Sequence, residues 1–545
     1  MNNIVFVADY YSDKVIGGAE KYNDVLISHL EKLGSPQIKK IKSVNLTLEI
    51  TQKNADSFFV VANFMQLSEQ VKEYISTHIQ YIIIEHDHKY LTNNNPVRFK
   101  DYLANEESIQ NLNFYRCAKA VFCQSTLHAE IIYKNTLLQN LVNLEGNIWS
   151  EDDANILEEY LDPEKKIKYG IFGTQNSNKG MTDAIDYCNA NSLKYTVIPS
   201  CPYPEFVERL SLIETLVFFP TWIESFSRVA VEARILGCKI ITNDRLGCAS
   251  DGFLNMKGTE LLDRIKRQTL FITKKFTDII SGKKLKFYER KLPRVSIITT
   301  FVDGEEYLKG WLDSCVNQTI FDEIDLYIYD AASDGNEQKI VQEYTTKYNN
   351  IHYHRADTKI GSSEAFNKLM ESSPNEFISM VCLDDRPAAN YAEVLRKYLC
   401  FADVDLVYAD CYQTHHPNET FAKNSSNGIH YIHSINDFSP YNMIKSLPGP
   451  MPLFKKKIIL KNGGFNVKYK HANDWELWLR CVRANAVFLK AHTTLGLYYY
   501  NPSGVTTSKQ HQTVQRAEEK EIFYEYIDVL GQENFETYKP YFDQF

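Results

Sequence analysis

Short apolar runs alternate with stretches of helical, amphipathic spacing from Met1 to about Ser250. Strands separated by helices in this way are typical of βαβ units, so the pattern predicts parallel sheets covered by helices. The predicted strands are Ile4–Ala8, Phe58–Ala62, Tyr81–Glu85, Ala120–Cys123, Tyr169–Phe172, Tyr195–Ile198, Leu216–Phe219 and Lys239–Thr242.

A second alternating pattern begins at Arg294. It predicts strands at Val295–Thr300 and Ile324–Tyr329 with a helix at Glu306–Val316 between them, and a buried strand in the run from Phe377 to Leu383. The last stretch, 515–545, predicts one or two helices rich in Tyr, Phe and Glu. We expect its aromatic side chains to cover a domain surface rather than to bind glycan.

Length and composition favour a multidomain globular protein. The chain has 545 residues, 44% of them hydrophobic, and a formal net charge of -9, which argues against a nucleic-acid partner. Eleven cysteines without C-x-x-C pairs fit reduced thiols in a cytoplasmic protein. We expect neither a conventional signal peptide nor a bilayer-spanning run, which needs about 20 apolar residues.

Glycines and histidines follow the first and third predicted strands. Gly17 and Gly18 open a helical stretch, where small residues let backbone N–H groups approach a phosphate or a sugar. A tight turn remains the simpler explanation of two glycines alone, and the missing G-x-G-x-x-G disfavours a dinucleotide site. His86 and His88 fit a hydrogen-bonding role toward a sugar or phosphate, a metal site without an evident third ligand, or a polar loop.

Charged residues at the ends of later strands extend this picture. Lys179, in the segment after strand Tyr169–Phe172, can neutralise a phosphate. Glu224 precedes a predicted helix, and Glu232 lies eight residues further on, two turns along the same face. A helix N-terminus that binds a diphosphate, with a carboxylate that grips ribose hydroxyls, needs this spacing. Two exposed helix carboxylates are the alternative.

Residues 1–280 resemble the family 4 glycosyltransferases. The resemblance rests on the Gly17–Gly18 loop, on Lys179-Gly180, and on Glu224-x7-Glu232 followed by Ala233 and Gly237. It implies the two-Rossmann GT-B fold and sugar transfer with retention of configuration and without a metal. It also implies that Glu232 holds the donor ribose, Glu224 and His86 lie near the transferred sugar, and Lys179 and the Gly17–Gly18 backbone bind the donor diphosphate. The arginine usual before the lysine is Thr174 here, and the N-terminal half is short for the family.

The stretch 256–292 predicts a basic amphipathic helix. Its apolar residues recur at helical spacing, and its other positions are rich in lysine and arginine. Such a segment lies either on an anionic membrane surface or, more often, on its own domain with a solvated face.

Asp384 and Asp385 end the apolar run that begins at Phe377. Ligands bind beyond the carboxyl ends of strands in parallel-type sheets, and two adjacent acids repel each other unless a cation lies between them and an anion. Mg²⁺ or Mn²⁺ suits such oxygen ligands and completes its shell with substrate phosphates. An acidic turn is the alternative explanation.

Two further acids are candidates for the same site. Asp330, at the end of strand Ile324–Tyr329, can contact a nucleobase or ribose, although a turn of small residues would look the same. Asp474 begins a predicted helix, where it either caps the helix or takes a proton from an acceptor hydroxyl.

Residues 293–508 resemble the family 2 glycosyltransferases. The matching motifs are the Val295 strand, Asn317-Gln318-Thr319, the Asp330–Gly335 turn, Ala365-x-Asn367-Lys368, Leu383-Asp384-Asp385, Gly464-Phe465 and Asp474-Trp475-x-Leu477-Trp478-x-Arg480. The resemblance implies the GT-A fold, a divalent metal (Mg²⁺ or Mn²⁺) and inversion at the anomeric carbon. It also implies that Asp330 contacts the base, Asp384 and Asp385 serve metal and ribose, and Asp474 is the general base.

This sequence departs from the family 2 pattern at three positions. The acid that often opens the metal motif is Cys382, the second acid of the turn is Ala331, and the histidine that often follows the last strand is Asn501. A thiol is a poor ligand for Mg²⁺, so the first and third departures remove candidate metal ligands.

The sequence therefore predicts an α/β protein in which a GT-B-like pair of Rossmann-type domains precedes a GT-A-like domain. The predicted domains are residues 1–165, 166–255, a connector at 256–292, 293–510 and C-terminal helices at 511–545. The expected activity is bifunctional transfer from nucleotide-diphosphate sugars, a UDP-sugar first among them, to a glycan or lipid-linked glycan in surface polysaccharide synthesis. The alternatives are one catalytic C-terminal module with a scaffold before it, or a nucleotide-sugar-binding protein without activity. We expect a cytoplasmic protein, with peripheral membrane association as one reading of the basic segment.

Overall fold

The structure, a computed structural model, describes residues 3–12, 17–32, 37–161, 163–433, 435–504 and 507–545. The chain divides into two compact units. The N-terminal unit comprises residues 1–104 and 108–290, and the C-terminal unit comprises residues 105–107 and 291–545. Both are built from β-sheets with helices on their faces, so the predicted α/β class is confirmed.

The first sheet of the N-terminal unit has six parallel strands among its described residues, in the order β2-β1-β3-β4-β5-β6. The strands are β1 (Ile4–Ala8), β2 (Ile38–Lys42), β3 (Phe58–Val61), β4 (Tyr81–Ile84), β5 (Val121–Cys123) and β6 (Leu141–Asn143). The helices are α1 (Gly18–Lys32), α2 (Leu48–Lys53), α3 (Glu69–His78), α4 (Leu112–Cys117), α5 (Thr126–Thr136) and α6 (Glu151–Glu159). Serine hydroxyls cap three of these helices, because the side chains of Ser68, Ser125 and Ser150 accept backbone N–H groups of the first turn.

The second sheet has four parallel strands in the part of the chain that the structure describes, in the order β10-β9-β7-β8. The strands are β7 (Ile167–Phe172), β8 (Tyr195–Ile198), β9 (Ile213–Phe218) and β10 (Lys239–Thr242). The helices are α7 (Met181–Ala190), α8 (Tyr203–Ser211), α9 (Arg228–Ile235), α10 (Gly247–Ser250) and α11 (Gly258–Ile280). The strand order reverses next to β1 in the first sheet and next to β7 in the second, and the crevice at such a reversal is where open α/β sheets bind ligands.

Helix α11 joins the cores of both sheets. Leu261 and Ile265 are buried with the second sheet, whereas Ile272 and Phe276 are buried with the first. The apolar stripe predicted in residues 256–292 is therefore buried against the N-terminal unit, to which α11 belongs. Within the described residues, no helix combines the length and apolarity needed to cross a membrane.

The C-terminal unit contains a mixed sheet of eight strands among its described residues, in the order β13-β12-β11-β14-β17-β16-β18-β15. The strands are β11 (Val295–Phe301), β12 (Ile324–Asp330), β13 (Ile351–Arg355), β14 (Phe377–Met380), β15 (Arg386–Pro387), β16 (Leu406–Thr414), β17 (Leu453–Lys455) and β18 (Phe488–Tyr499). The helices are α12 (Glu305–Val316), α13 (Glu337–Thr345), α14 (Ser362–Ser372), α15 (Tyr391–Phe401), α16 (Lys456–Lys461), α17 (Asn473–Arg483), α18 (Gln512–Glu525), α19 (Ile527–Leu530) and α20 (Gln532–Phe542).

The C-terminal helices share the core of this unit. Phe523, Leu530 and Phe542 are buried in one cluster with Trp475 and Trp478 of α17. Part of the aromatic content at the chain's end is thus core, which fixes α18 and α20 beside the N-terminus of α17.

Gly180, which follows Lys179, packs closely against the backbone of a neighbouring segment, and this packing can be tested by substitution. Gly180 has a φ of +64°, and a Cβ there would lie 1.6 Å from the carbonyl oxygen of Phe219. Gly258 has a φ of +59° with nothing within 4 Å of the added carbon, so it is a matched control.

We expect Gly258→Ala to lower the free energy of unfolding by about 1–2 kcal/mol, the cost of a left-handed residue. Gly180→Ala should cost at least about 3 kcal/mol, because the backbone clash adds to that strain. Calorimetric unfolding of the full chain measures both. Equal losses in the two variants would contradict the close packing of Gly180 on Phe219.

Candidate active site

The mixed sheet of the C-terminal unit reverses its strand order between β11 and β14. Asp384 and Asp385, the acidic pair, lie at that position. β11 pairs in parallel with β12 on one side and with β14 on the other. Asp384 and Asp385 follow β14 after Val381, Cys382 and Leu383. The strand is shorter than the apolar run from Phe377 to Leu383, but the carboxylates lie beyond its carboxyl end as predicted, and the crevice there is the expected ligand site of such a sheet.

Both carboxylates of the pair are held by groups from the end of β18. Asp385 is 2% exposed, and its Oδ1 accepts the backbone N–H of Tyr499 at 3.2 Å. Asn501 hydrogen-bonds Asp384. The residue that stands in place of the family histidine therefore does contact the acidic pair, as an amide rather than an imidazole.

Enclosure makes the charged forms of both carboxyls unfavourable. Burial raises the pKa of Asp384, and burial together with the charge of Asp384 raises the pKa of Asp385 well above its usual range. Two acids with raised pKa values in one crevice favour a cation or a proton between them.

Arg386 fixes the shape of the acidic loop. Its guanidinium donates to the carbonyl oxygens of Leu383 at 2.9 Å, Asp385 at 2.7 Å and Tyr307 at 3.1 Å, and to the side chain of Asn418. The side chain is buried, and burial lowers its pKa. Sequence reasoning missed this residue; a cation directly after two acids was the signal that pointed to it.

Cys382 opens onto the same crevice. Its side chain is exposed to this cavity, and enclosure within it, together with the charges of Asp385, Asp384 and Asp474, raises its pKa well above the usual value. The neutral thiol is thus favoured, which is a poor ligand for a hard cation.

The acidic pair fits a divalent cation that shares its shell with a substrate. Among the described residues, no group of three or more His, Cys, Asp or Glu side chains is arranged to hold a metal ion. Mg²⁺ typically uses one or two carboxylates and completes its shell with water and phosphate oxygens. Asp384 and Asp385 supply two such carboxylates.

Asp474 lies on a wall shared by two adjoining cavities. The smaller cavity, of about 290 Å³, is lined by Asp384 and Asp385, and the larger, of about 530 Å³, lies toward the C-terminal helices. Asp474, Ser446 and Tyr431 line both. The carboxylate therefore faces the space beside the acidic pair and the space beyond it.

Two hydrogen bonds orient the carboxylate of Asp474. Oδ2 accepts the hydroxyl of Ser446 at 2.7 Å, and Oδ1 accepts the N–H of Trp475 at 2.8 Å. Burial raises the pKa of Asp474. A raised pKa makes a carboxylate a better proton acceptor near neutral pH. Ser446, from a distant loop, was not identified in the sequence.

Asp330 is fully buried and its oxygens are occupied. Oδ1 accepts the N–H of Ser333 at 2.8 Å, and Oδ2 accepts Tyr353 at 2.6 Å and Arg355 at 3.2 Å. The carboxylate thus holds the turn after β12 in place.

Residues of the family 2 motifs outside the crevice contact one another. Oδ1 of Asn367 accepts the N–H of Phe465 at 2.7 Å, and a Cβ on Gly464 would lie 2.6 Å from that same oxygen. Arg480 donates to the carbonyl oxygen of Gly464 at 2.8 Å. These motifs secure the turn before α17, and thereby the position of Asp474.

In the N-terminal unit, Lys179 and Glu224 form an ion pair at the strand-order reversal of the second sheet. Lys179 follows β7, Glu224 follows β9, and the Nζ lies 2.7 and 2.8 Å from the two carboxylate oxygens. The structure therefore brings these two predicted site residues together.

Glu232 is buried within α9, and one of its oxygens has three partners. Oε1 accepts Trp149 Nε1 at 3.0 Å, Tyr203 at 3.0 Å and Arg228 at 3.3 Å. Arg228 also pairs with Asp153 at 2.7 Å.

His86 lies in a hydrogen-bond chain that reaches the Glu224 loop. Its two ring nitrogens lie 3.0 Å from Asn23 Oδ1 and 2.8 Å from Gln124 Nε2, and the hydroxyl of Ser225 lies 3.4 Å from Gln124 Oε1. Burial lowers the pKa of His86 well below its usual value, so the imidazole is neutral. Gly17 directly precedes α1 and Gly18 is its first residue, with open space around the α-carbon of Gly18.

Comparison with known proteins assigns the central part of the C-terminal unit. Residues 296–463 match the sequence profile of Glycosyl transferase family 2, so this unit contains a family 2 glycosyltransferase domain. An uncharacterized glycosyltransferase of Methanocaldococcus jannaschii is 23% identical over 200 residues, which are 36% of this chain and 66% of the relative. The match thus spans just under two thirds of that relative.

Solved structures with partial likeness to this chain include the following two. Staphylococcus aureus TarS (residues 1–349) has a TM-score of 0.35 at 14% identity and covers 44% of this chain and 69% of its own. A Pyrobaculum calidifontis mannosyltransferase, in complex with GDP-Man and Mn²⁺, has a TM-score of 0.34 at 15% identity, with coverages of 44% and 65%. The predicted resemblance to family 2 is confirmed for the C-terminal unit, whereas the resemblance of the N-terminal unit to family 4 stays a prediction.

We expect Mn²⁺ binding to strengthen as the pH rises. A carboxyl whose pKa is raised on folding contributes stability below its unfolded pKa and loses it as the pH rises through the folded pKa. A cation stabilises the charged forms, so the increase in melting temperature caused by Mn²⁺ should grow as the pH rises above about 4, the pKa of a free aspartate.

Thermal unfolding with Mn²⁺ and UDP measures this effect. Asp384→Asn should weaken Mn²⁺ about tenfold or more, while Asp437→Asn, an exposed acid of the same unit, should change nothing. A Mn²⁺ effect that is independent of pH, or equal in both variants, would remove the pair as the cation site.

Proposed function

We propose that the C-terminal unit transfers a sugar from a nucleotide-diphosphate sugar, with a UDP-sugar as the expected donor, to a hydroxyl of a glycan or lipid-linked glycan. The position of Asp474 carries this proposal, since it lies on the wall between the cavity with the acidic pair and a second, larger cavity. A donor in the first space and an acceptor in the second would meet at this carboxylate. The family 2 domain supports the same chemistry.

In the proposed reaction Asp474 acts as the general base. The acceptor oxygen forms a bond to the anomeric carbon while the bond to the nucleoside diphosphate breaks, and the hydroxyl proton passes to a carboxylate oxygen of Asp474. A displacement of this kind inverts the anomeric configuration. Ser446 and the N–H of Trp475 keep the carboxylate oriented while its charge changes.

Asp384 and Asp385 would hold the divalent cation, Mg²⁺ or Mn²⁺, that neutralises the diphosphate. Arg386 keeps the loop that carries them in one conformation. We assign Asp330 a positioning role, since its oxygens already hold Ser333, Tyr353 and Arg355; any contact with the base would come from the turn that it supports.

A second transfer in the N-terminal unit is the other candidate. The Lys179–Glu224 pair at a ligand-binding crevice, with a buried neutral His86 linked to the same loop, favours it. In this reaction the donor diphosphate would take Lys179 from Glu224, and transfer would proceed with retention and without a metal.

The alternative is that the N-terminal unit is a docking scaffold. Glu232, expected to hold the donor ribose, is 2% exposed and already bound by Trp149, Tyr203 and Arg228. A ribose would have to displace at least one of these partners. Membrane association stays a prediction as well; on α11 it would have to use Leu270 and Phe271, the exposed apolar residues of the helix.

Asp474→Asn should lower the rate of sugar transfer by about 10²–10⁴, the range for loss of a general base. The donor should still bind, because the acidic pair lies elsewhere in the crevice. Transfer and donor affinity are measured on the full chain with Mn²⁺ and a panel of nucleotide sugars, with Asp437→Asn as the control. Unchanged transfer by Asp474→Asn would refute the assignment of the base.

Glu224→Gln separates the two readings of the N-terminal unit. If that unit is active, the variant loses a transfer that persists in EDTA and retains configuration, and a mixture with Asp474→Asn restores a product that carries both sugars. If that unit is a scaffold, Glu224→Gln changes no transfer and EDTA abolishes all of it. Product analysis by NMR and mass spectrometry distinguishes these outcomes.

A further inference from the structure

One wall of the larger cavity next to Asp474 is built by elements from beyond the family 2 match, whereas Tyr431, Ile444 and Ser446 of its lining lie within the match. Its lining includes Glu519 of α18 and Tyr538 and Tyr541 of α20, whereas the family match ends at residue 463. This wall is therefore a feature of this chain's own C-terminal helices.

The helices that form this wall are fixed to the segment that directly precedes α17, the helix that carries Asp474. The carboxylate of Glu518 accepts three successive backbone N–H groups, from Lys470 at 2.9 Å, His471 at 2.8 Å and Ala472 at 3.0 Å. Phe542 stacks on Trp475 with the ring centroids 6.2 Å apart. The cavity is thus preformed, with its outer wall and the proposed base held in one framework.

The lining combines open aromatic faces with hydrogen-bonding groups. Tyr538 and Tyr541 are 38% and 51% exposed although their neighbour Phe542 is buried. Gln515 donates to Glu519 at 2.8 Å, which leaves further donor and acceptor positions on both side chains. Glu519 and Asp474 line the same cavity, and burial raises the pKa of Glu519.

This composition suits a sugar better than a lipid chain or a peptide backbone. A pyranose ring presents an apolar C–H face, which stacks on an aromatic ring, and a rim of hydroxyls, which carboxylates and amides bind. A polyprenyl chain would need an aliphatic groove, and in this lining the aliphatic side chains are Ile444 and Ala472. The volume, about 530 Å³, lies within the range of ligand pockets.

We propose that this cavity is the acceptor subsite and binds the terminal sugar of a saccharide, with Tyr538 and Tyr541 as its stacking surface and Glu519 as a hydroxyl ligand. The inference rests on the proposed function, because it takes Asp474 as the group that receives the acceptor proton. It goes further by naming a saccharide as the acceptor and the C-terminal helices as the elements that select it.

The test uses saturation-transfer NMR on the full chain, with Mn²⁺ and UDP or GDP present and the methyl glycosides of common hexoses and N-acetylhexosamines as probes. At least one glycoside should receive saturation from the wild type. Tyr538→Ala combined with Tyr541→Ala should weaken that binding about tenfold, whereas the phenylalanine variants, which keep the stacking rings, should lose less than about threefold. Tyr441→Ala, an exposed tyrosine of the same unit outside the cavity, should bind as the wild type does.

Kinetics supply the second readout. With the glycoside that binds, the tyrosine-to-alanine pair should raise the KM for the glycoside about tenfold and the KM for the nucleotide sugar less than about twofold. The inference is overturned if no glycoside binds to the wild type, or if the alanine pair binds glycoside unchanged. If a glycoside binds through the tyrosines but no nucleotide sugar is turned over, the proposed function fails while the saccharide site stands.

Discussion

The C-terminal unit is organised around two like charges confined at the end of one buried strand. Asp384 and Asp385 cannot both ionise cheaply in an enclosed crevice, which is why burial raises both pKa values. The surrounding structure lowers the free-energy cost of ionising both carboxyls but does not remove it. Arg386 binds the loop through carbonyl oxygens, and β18 supplies one backbone N–H and one amide. The negative charge of the two carboxylates is therefore not fully compensated by the protein, and a divalent cation bound with a diphosphate would compensate it.

The two units treat their candidate charges differently. In the N-terminal unit the charged groups already have protein partners, since Lys179 pairs with Glu224, and Arg228 binds both Glu232 and Asp153. In the C-terminal unit the acidic pair accepts hydrogen bonds from neutral groups of β18 and its following residues. A ligand of the N-terminal unit must therefore break existing ion pairs. A cation that binds in the C-terminal unit instead supplies positive charge to carboxylates that have no cationic hydrogen-bond partner among the described residues. This contrast is the physical reason to place the metal-dependent transfer in the C-terminal unit.

Strong periodic signals made much of the fold predictable. The buried strand Ile4–Ala8 was predicted with correct bounds because its continuous apolar run ends at the polar residue Asp9. Strand β2 was missed because it is an edge strand whose lysines face solvent, and β6 because it has three residues. The acidic pair and Asp474 were identifiable from local motifs. Ser446 was not, because its role depends on a contact with the distant carboxylate of Asp474 that only the folded chain creates, and the contact of Arg386 with the carbonyl oxygen of Tyr307 is equally non-local.

In the C-terminal helices, aromatic residues of one helix both pack in the core and line the proposed acceptor cavity. Phe542 and Tyr541 are neighbours in α20, yet the first is buried against Trp475 and the second faces the cavity. Successive helix positions point in different directions, so one aromatic-rich helix can anchor itself in the core and present rings to a ligand. The expectation that these aromatics cover a domain surface describes the buried ones. The exposed ones lie across Asp474 from the acidic pair, which is where the proposed acceptor hydroxyl would be bound.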